Sequence, residues 1–256
     1  MIDIRRITAY QQATKAIQEV SLTIEDGERV AILGPNGSGK STLLKVLSRD
    51  IYPVDTPDSY VRVFDEETVI WEFKSKIGIV SQDLQEDYTP YTTALDVVTS
   101  GFFGAIGAHD HLQPTSKHRQ LAEEMLDRVG MTPLAQRMFQ RLSTGQKRRL
   151  LIARAMVNHP KALILDEPSA GLDIGASTTL LNLLRQYCSG NHSMIIATHH
   201  IDEIIPEIER VVLLKEGRVV ADGPKGAILT GPNLSDLYMT DLEVSERGGW
   251  YRCWQQ

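Results

Sequence analysis

Gly34-Pro35-Asn36-Gly37-Ser38-Gly39-Lys40-Ser41 follows the apolar run Arg29–Leu33 and leads into Lys40–Leu47, whose apolar residues share one face. The run predicts a buried parallel strand and the following segment a helix, so the glycine-rich stretch joins strand to helix. It matches G-x-x-x-x-G-K-[ST] in full and in the context that gives the motif meaning. Glycines let backbone N–H groups wrap phosphate oxygens, and the helix N-terminus adds about half a positive charge. Lys40 is placed to reach β- and γ-phosphates and Ser41 to ligate Mg²⁺. The bland alternative is a glycine-rich turn that caps a helix, which the flanking strand and helix disfavour.

Magnesium at such a site needs a carboxylate. Ala162-Leu163-Ile164-Leu165-Asp166 is an apolar strand ending in Asp, with Glu167 next. Asp166 is predicted to hold the metal through water, and Glu167 to polarise an attacking water.

Outward from these two motifs, the chain alternates strands and helices. Ile2–Ala9 and Ile17–Ile24 form an N-terminal antiparallel β portion. Tyr60–Phe64, Ile77–Val80, Ser193–Ala197, Val211–Leu214 and Arg218–Ala221 read as further strands, and Gly175–Tyr187 and Ile201–Ile205 as helices. The pattern predicts an α/β core with a mostly parallel sheet. From Gln82 to about His159 helical periodicity dominates, at Thr93–Ser100, Lys117–Val129 and Gly145–Val157, as in an inserted α-helical subdomain. The predicted division is a core of 1–82 with 160–223, a helical part of 83–159, and a tail of 224–256 made of short helices and loops.

Composition narrows the class. With 42% hydrophobic and 23% charged residues over 256 positions the chain is globular rather than disordered. A net charge of −6 disfavours a uniformly basic nucleic-acid binder. Cys188 and Cys253 lie too far apart for a C-x-x-C site, so reduced thiols in a cytosolic compartment are expected. No stretch approaches the ~18 apolar residues of a membrane span, and Met1–Arg6 lacks the apolar core of a signal peptide. A soluble cytoplasmic protein is expected, held at a membrane only by another chain.

Leu142-Ser143-Thr144-Gly145-Gln146, a short way before Asp166, resembles the signature motif of the ATP-binding cassette (ABC) ATPases, a branch of the P-loop NTPases. Gln82 after Ile77–Val80 is similar to that family's Q-loop glutamine. Ser169-Ala170-Gly171-Leu172-Asp173 looks like its D-loop, Ala197-Thr198-His199 like its switch histidine, and Tyr10 like its adenine-stacking aromatic. The resemblance runs from about residue 2 to 223. It implies that Tyr10 stacks on adenine and that Gly34, Pro35, Asn36, Gly37, Ser38, Gly39, Lys40, Ser41 and Thr42 hold the triphosphate of ATP. Ser41, Gln82 and Asp166 would serve Mg²⁺, Glu167 would be the general base, and His199 would contact the γ-phosphate. Ser143, Gly145, Gln146 and Asp173 would act across a dimer, on ATP held by a second nucleotide-binding subunit. Thr144 departs from the common pattern, which has glycine there.

The resemblance further implies a subunit that drives an integral membrane permease, peripheral at the inner face of the membrane. Gln82–Ser100 would receive the permease. Tyr91–Gly101 is similar to the corresponding stretch of metal-chelate, siderophore and cobalamin importer ATPases, and Thr198–Pro206 to a molybdate-linked accessory group. The competing class is a soluble accessory ATPase with the same catalytic residues and a non-membrane partner.

Other features have plainer readings. Lys147-Arg148-Arg149 looks like a nucleic-acid patch, but no nucleic-acid partner is expected at this net charge. His109, His111 and His118 read as a polar surface loop rather than a metal site. Trp250–Trp254 is expected to cover core rather than mark a partner contact, and Cys188 to be a packed thiol.

Overall fold

The computed structural model describes residues 2–64, 76–81, 84, 88–89, 91–106, 113–190 and 192–255. The chain forms two compact units, Met1–Thr68 with Ser193–Gln256, and Val69–His192.

The first unit opens with β1 (Ile2–Gln11) and β2 (Thr14–Ile24), antiparallel from Ile2↔Ile24 to Gln11↔Thr14. Alternation, reset by register shifts on either side of Ile7, turns Ile2, Ile4, Ile7 and Ala9 of β1 inward, opposite Ile17, Val20, Leu22 and Ile24 of β2. β3 (Arg29–Leu33) runs into the glycine loop and then α1 (Lys40–Leu47). β4 (Tyr60–Val63) pairs antiparallel with the other edge of β1, completing a three-stranded sheet.

In the second unit, β5 (Ile77–Val80) pairs parallel with β6 (Ala162–Asp166). Between them lie α2 (Ala94–Ser100), α3 (Ser116–Arg128) and α4 (Thr144–Met156), and α5 (Ile174–Tyr187) follows β6. Every one of these four helices begins on a side-chain cap. Thr93, Thr115, Ser143 and Asp173 each accept a backbone N–H of the first turn, which satisfies a donor that the helix itself cannot. α4 is the packing centre, touching α2, α3, α5 and β5. Leu150, Leu151, Ile152 and Ala153 are accordingly sealed from solvent.

The chain returns to the first unit with β7 (Ser193–Thr198), β8 (Arg210–Lys215) and β9 (Arg218–Pro224). β3 lies between β7 and β8 and is parallel to both, and β9 adds antiparallel to β8. Val30 to Leu33 are fully buried, as a continuous apolar strand covered on both faces must be. Arg210 holds this edge: its guanidinium donates twice to Asp222, once to Glu28 and once to the Thr23 carbonyl. Those partners, Asp222 above all, raise its already high pKa.

The tail departs from expectation. After α6 (Lys225–Ile228) and α7 (Gly231–Tyr238), residues predicted as helices and loops form a hairpin of β10 (Leu242–Arg247) and β11 (Trp250–Gln255). Gly248 and Gly249, with φ of 61° and 82°, make the two-residue turn that matches strand twist. The aromatic run is therefore a strand: Trp250 and Tyr251 are partly covered while Trp254 is 48% exposed. Ile201–Glu203 is a 3₁₀ turn rather than the helix expected over 201–205.

Candidate functional site

The glycine loop is shaped from outside as well as within. A Cβ on Gly34 would lie 2.2 Å from the Leu214 carbonyl oxygen, and one on Gly39 2.4 Å from that of Ala16. Gly39 also takes φ 103° as the residue that starts α1, a conformation side-chain-bearing residues avoid. The Gly34 N–H donates to the Thr198 carbonyl at 3.2 Å, and Gly217 N–H donates to the Ser38 carbonyl at 2.9 Å. The loop is thus tied to β7 and to the β8–β9 turn.

Lys40 is 5% exposed, and its ammonium donates to the carbonyls of Gly34 at 2.8 Å and Pro35 at 3.1 Å. It lies inside the loop rather than in solvent. Thr42 is buried and donates to Gln11 Oε1 at 2.8 Å, which fixes the first turn of α1 on the end of β1. Tyr10, next to Gln11, is 46% exposed, so its ring is open to solvent. Ser41 is exposed at the first turn of α1. Ser38 Oγ is buried and has no hydrogen-bond partner among the described residues. An orphan hydroxyl and a backbone that only glycine can follow, at a helix N-terminus, fit a phosphate chain.

His199 follows β7. Its carbonyl accepts a hydrogen bond from Tyr238 O–H at 2.9 Å, and its ring is 3.9 Å from that of His200.

The second unit carries the other motifs. Asp166 ends β6 at 8% exposure. Glu167 has φ 46°, in the left-handed region, and its carbonyl accepts from Ala170 N–H at 3.1 Å. Such backbone costs about 1–3 kcal/mol in a non-glycine residue and concentrates at functional sites. Ser41 in the first unit and Asp166 in the second each carry the kind of hard oxygen donor that Mg²⁺ takes.

Ser143 and Gln146 satisfy each other. Gln146 N–H donates to Ser143 Oγ at 3.3 Å, and Ser143 N–H donates to Gln146 Oε1 at 2.9 Å. This leaves the Ser143 hydroxyl proton and the N–H groups of Thr144 and Gly145, which have no intrahelical acceptor, as donors for an anion. Asp173 caps α5 through Ala176 N–H at 2.8 Å. The Thr144 methyl carbon lies 4.0 Å from where a Cβ on Gly171 would stand, and Ala176 Cβ lies 3.0 Å from one on Gly145. The signature and D-loop residues therefore meet in this unit, and Thr144 sits at that junction.

Gln82 lies outside the described residues, as do His109 and His111. His118 is structural: it completes the cap of α3 with Thr115 and stacks on Phe102 at 4.8 Å. The basic triplet is not three surface cations, because Arg148 is 4% exposed and the Lys147 ammonium lies over Phe139. Cys188 is buried at the end of α5, as expected. Sequence reasoning missed Gln11, Leu214, Gly217 and Tyr238, and the bond from Gly34 to Thr198, because these contacts with the loop and switch arise only from strand order and the folded tail.

A buried parallel strand that runs through a glycine loop, closed on a buried lysine, into a helix is the phosphate-loop unit of the P-loop NTPase fold. Residues 17–170 match the model of the ABC transporter family, and the chain belongs to that family of ATP-binding, ATP-hydrolysing proteins. It is 31% identical over 237 residues to the manganese transport system ATP-binding protein MntB of Listeria monocytogenes, covering 93% of this chain and 95% of that protein. A structure of an inward-facing transporter assigned to the metal-chelate type superposes with a TM-score of 0.80 at 27% identity, covering 98% of this chain and 95% of that one. The dimeric post-hydrolysis structure of the cassette MJ0796 with ADP and Pi gives a TM-score of 0.73 at 28% identity, over 88% of this chain and 98% of that one. Among the described residues no helix is long and apolar enough to cross a membrane.

Proposed function

We propose that this chain is the ATP-hydrolysing subunit of a membrane importer for a metal chelate or related small solute. The observation that carries the reading is the likeness to the metal-chelate type transporter over 98% of the chain, tail included. The manganese transport relative supports it. The chain would work in the cytoplasm, peripheral at the inner face of the membrane and bound to a separate permease through the Gln82–Ser100 region.

In this reading 1–82 with 160–223 is the nucleotide core and 83–159 carries the signature. Tyr10 stacks on adenine. Residues Gly34 to Thr42 hold the triphosphate, with the Lys40 ammonium exchanging loop carbonyls for phosphate oxygens. Ser41, Gln82 and Asp166 hold Mg²⁺, which when bound neutralises charge on the transferred phosphoryl group. Glu167 accepts the proton of the attacking water, and His199 orients that water against the γ-phosphate. Ser143, Gly145 and Gln146 present the α4 N-terminus to ATP held by a second subunit, with Asp173 at the same junction. Two ATP molecules then close two cassettes, and loss of the γ-phosphate opens them, a ligand-driven two-state switch. The MJ0796 dimer supports this assembly.

The test is a tagged Glu167→Gln protein, which binds ATP but turns over slowly, recovered from detergent-solubilised cells in ATP and Mg²⁺. Near-equal recovery of an integral membrane protein is expected. Recovery of soluble partners only moves the function to an accessory ATPase, and a monomer in saturating ATP overturns the clamp.

A further inference from the structure

The C-terminal tail, which the catalytic motifs leave unused, is built onto the switch segment. Tyr238, the last residue of α7, donates its phenol proton to the His199 carbonyl at 2.9 Å. α7 is itself anchored, because the Lys215 ammonium donates to the Asp236 carbonyl and lies 3.2 Å from Met239 Sδ. A cation at the carbonyl end of a helix is favourable on both hydrogen-bonding and dipole grounds. Lys215 ends β8, and two residues later Gly217 N–H bonds the Ser38 carbonyl of the phosphate loop. On the far side, Gly34 N–H bonds the Thr198 carbonyl, one residue before His199.

These contacts close a ring. It runs from the phosphate loop through the β8–β9 turn, Lys215, α7 and Tyr238 to His199, and back through Thr198 to Gly34. The downstream end of the switch segment is held as well. The Lys225 ammonium, 9% exposed, donates to the carbonyls of Ile205, Pro206 and Gly249, and β11 packs against the Ile201–Glu203 turn. The tail therefore grips the chain on both sides of residues 200–204.

The geometry points to Tyr238 as a positioning residue for the switch histidine, acting through the His199 carbonyl. It touches no reacting atom. Its bond fixes the peptide plane after His199, and with the Gly34–Thr198 bond it sets the direction in which the imidazole leaves the backbone. A group that orients an attacking water tolerates little angular error. Removing the bond therefore slows turnover and leaves nucleotide binding, which rests on the loop, intact.

This inference depends on the role proposed for His199, and the experiment separates the two. ATPase kinetics are measured on the full chain as wild type, Tyr238→Phe, His199→Ala and the double variant. Tyr238→Phe keeps the ring and loses only the hydroxyl, so kcat is expected to fall about five- to ten-fold, the equivalent of one hydrogen bond, with KM for ATP unchanged. In the His199→Ala background the same change is expected to cost nothing further, because its effect runs through the imidazole. Lys215→Met, which loosens the α7 anchor, gives a second reading of the same kcat-selective loss should Tyr238→Phe fold poorly. If His199→Ala retains full kcat, the reading of the switch fails. If His199→Ala is slow but Tyr238→Phe and Lys215→Met are as fast as wild type, or if Tyr238→Phe slows the His199→Ala protein as much as it slows the wild type, the positioning role is overturned.

Discussion

Gly34, the first residue of the phosphate loop, and Thr198, the last of β7, are joined by a hydrogen bond of 3.2 Å. Leu33 and Thr198 are also register partners in the parallel pair β3–β7. Two adjacent parallel strands thus release, at their carboxyl ends, the loop that carries Lys40 and the turn that carries His199. This is the end of an α/β sheet where ligands bind.

Lys40→Ala removes an ammonium that is buried against the Gly34 and Pro35 carbonyls. Charged hydrogen bonds to phosphate are worth about 1.5–3 kcal/mol, so ATP affinity should fall roughly ten- to a hundred-fold. Hydrolysis should be lost. Titration calorimetry with ATP and a phosphate-release assay check both.

Two glycines of the same loop should respond differently to alanine. A Cβ on Gly37 meets nothing within 4 Å, so Gly37→Ala pays only the cost of its positive φ, about 1–2 kcal/mol. Gly39→Ala adds a 2.4 Å approach to the Ala16 carbonyl at φ 103°, and should cost ~3 kcal/mol or more. Denaturant unfolding of the two variants should separate them by at least about 1 kcal/mol.

Ser143→Ala removes the α4 cap and, in the proposed assembly, a hydroxyl that would meet the γ-phosphate of ATP held by the second subunit. Stability should fall by about 1 kcal/mol. Hydrolysis should fall by about a hundred-fold, as for a lost donor to a developing anionic group, with ATP binding to the isolated chain nearly unchanged. An unfolding curve and a turnover assay on one preparation distinguish the two losses.

Stability should decline in alkali. Burial raises the pKa of Tyr187 and of Tyr88 above the ordinary value near 10. Above pH 10 the unfolded chain releases these protons before the folded one does, so the folded state binds more protons. Its stability is complete below pH 10 and is lost as pH rises through the folded values. Tyr187→Phe, which also gives up the bond to the Pro160 carbonyl at 3.1 Å, should be less stable at pH 8 and lose stability less steeply above pH 10. Urea midpoints between pH 8 and 11 measure this.

Much of the site is legible in the chain because its chemistry is local. A strand, a glycine loop and a helix N-terminus occupy consecutive residues, so Gly34 to Thr42 announce a phosphate cradle without any distant contact. The Ser143–Gln146 cap and the Asp173 cap are likewise three-residue affairs. The hairpin at Leu242–Gln255 was less legible, since its strands bury little and its pattern of Glu, Ser and Arg reads as a loop. What reveals it is Gly248-Gly249, a turn signal, followed by the aromatic run.

The sequence alone determined the family motifs and the buried parallel strands Arg29–Leu33 and Ala162–Asp166, and it singled out the candidate phosphate-binding and signature residues. Periodicity and fixed short spacing carry that information. Only the tertiary structure decided that Leu214 and Gly217 wall the phosphate loop, that Gln11 steadies Thr42, and that Tyr238 holds His199. Tyr238 is thirty-nine residues from its partner. Such a contact depends on β8 lying beside β3 and on Lys215 anchoring α7, and strand order leaves no mark at short range in the sequence.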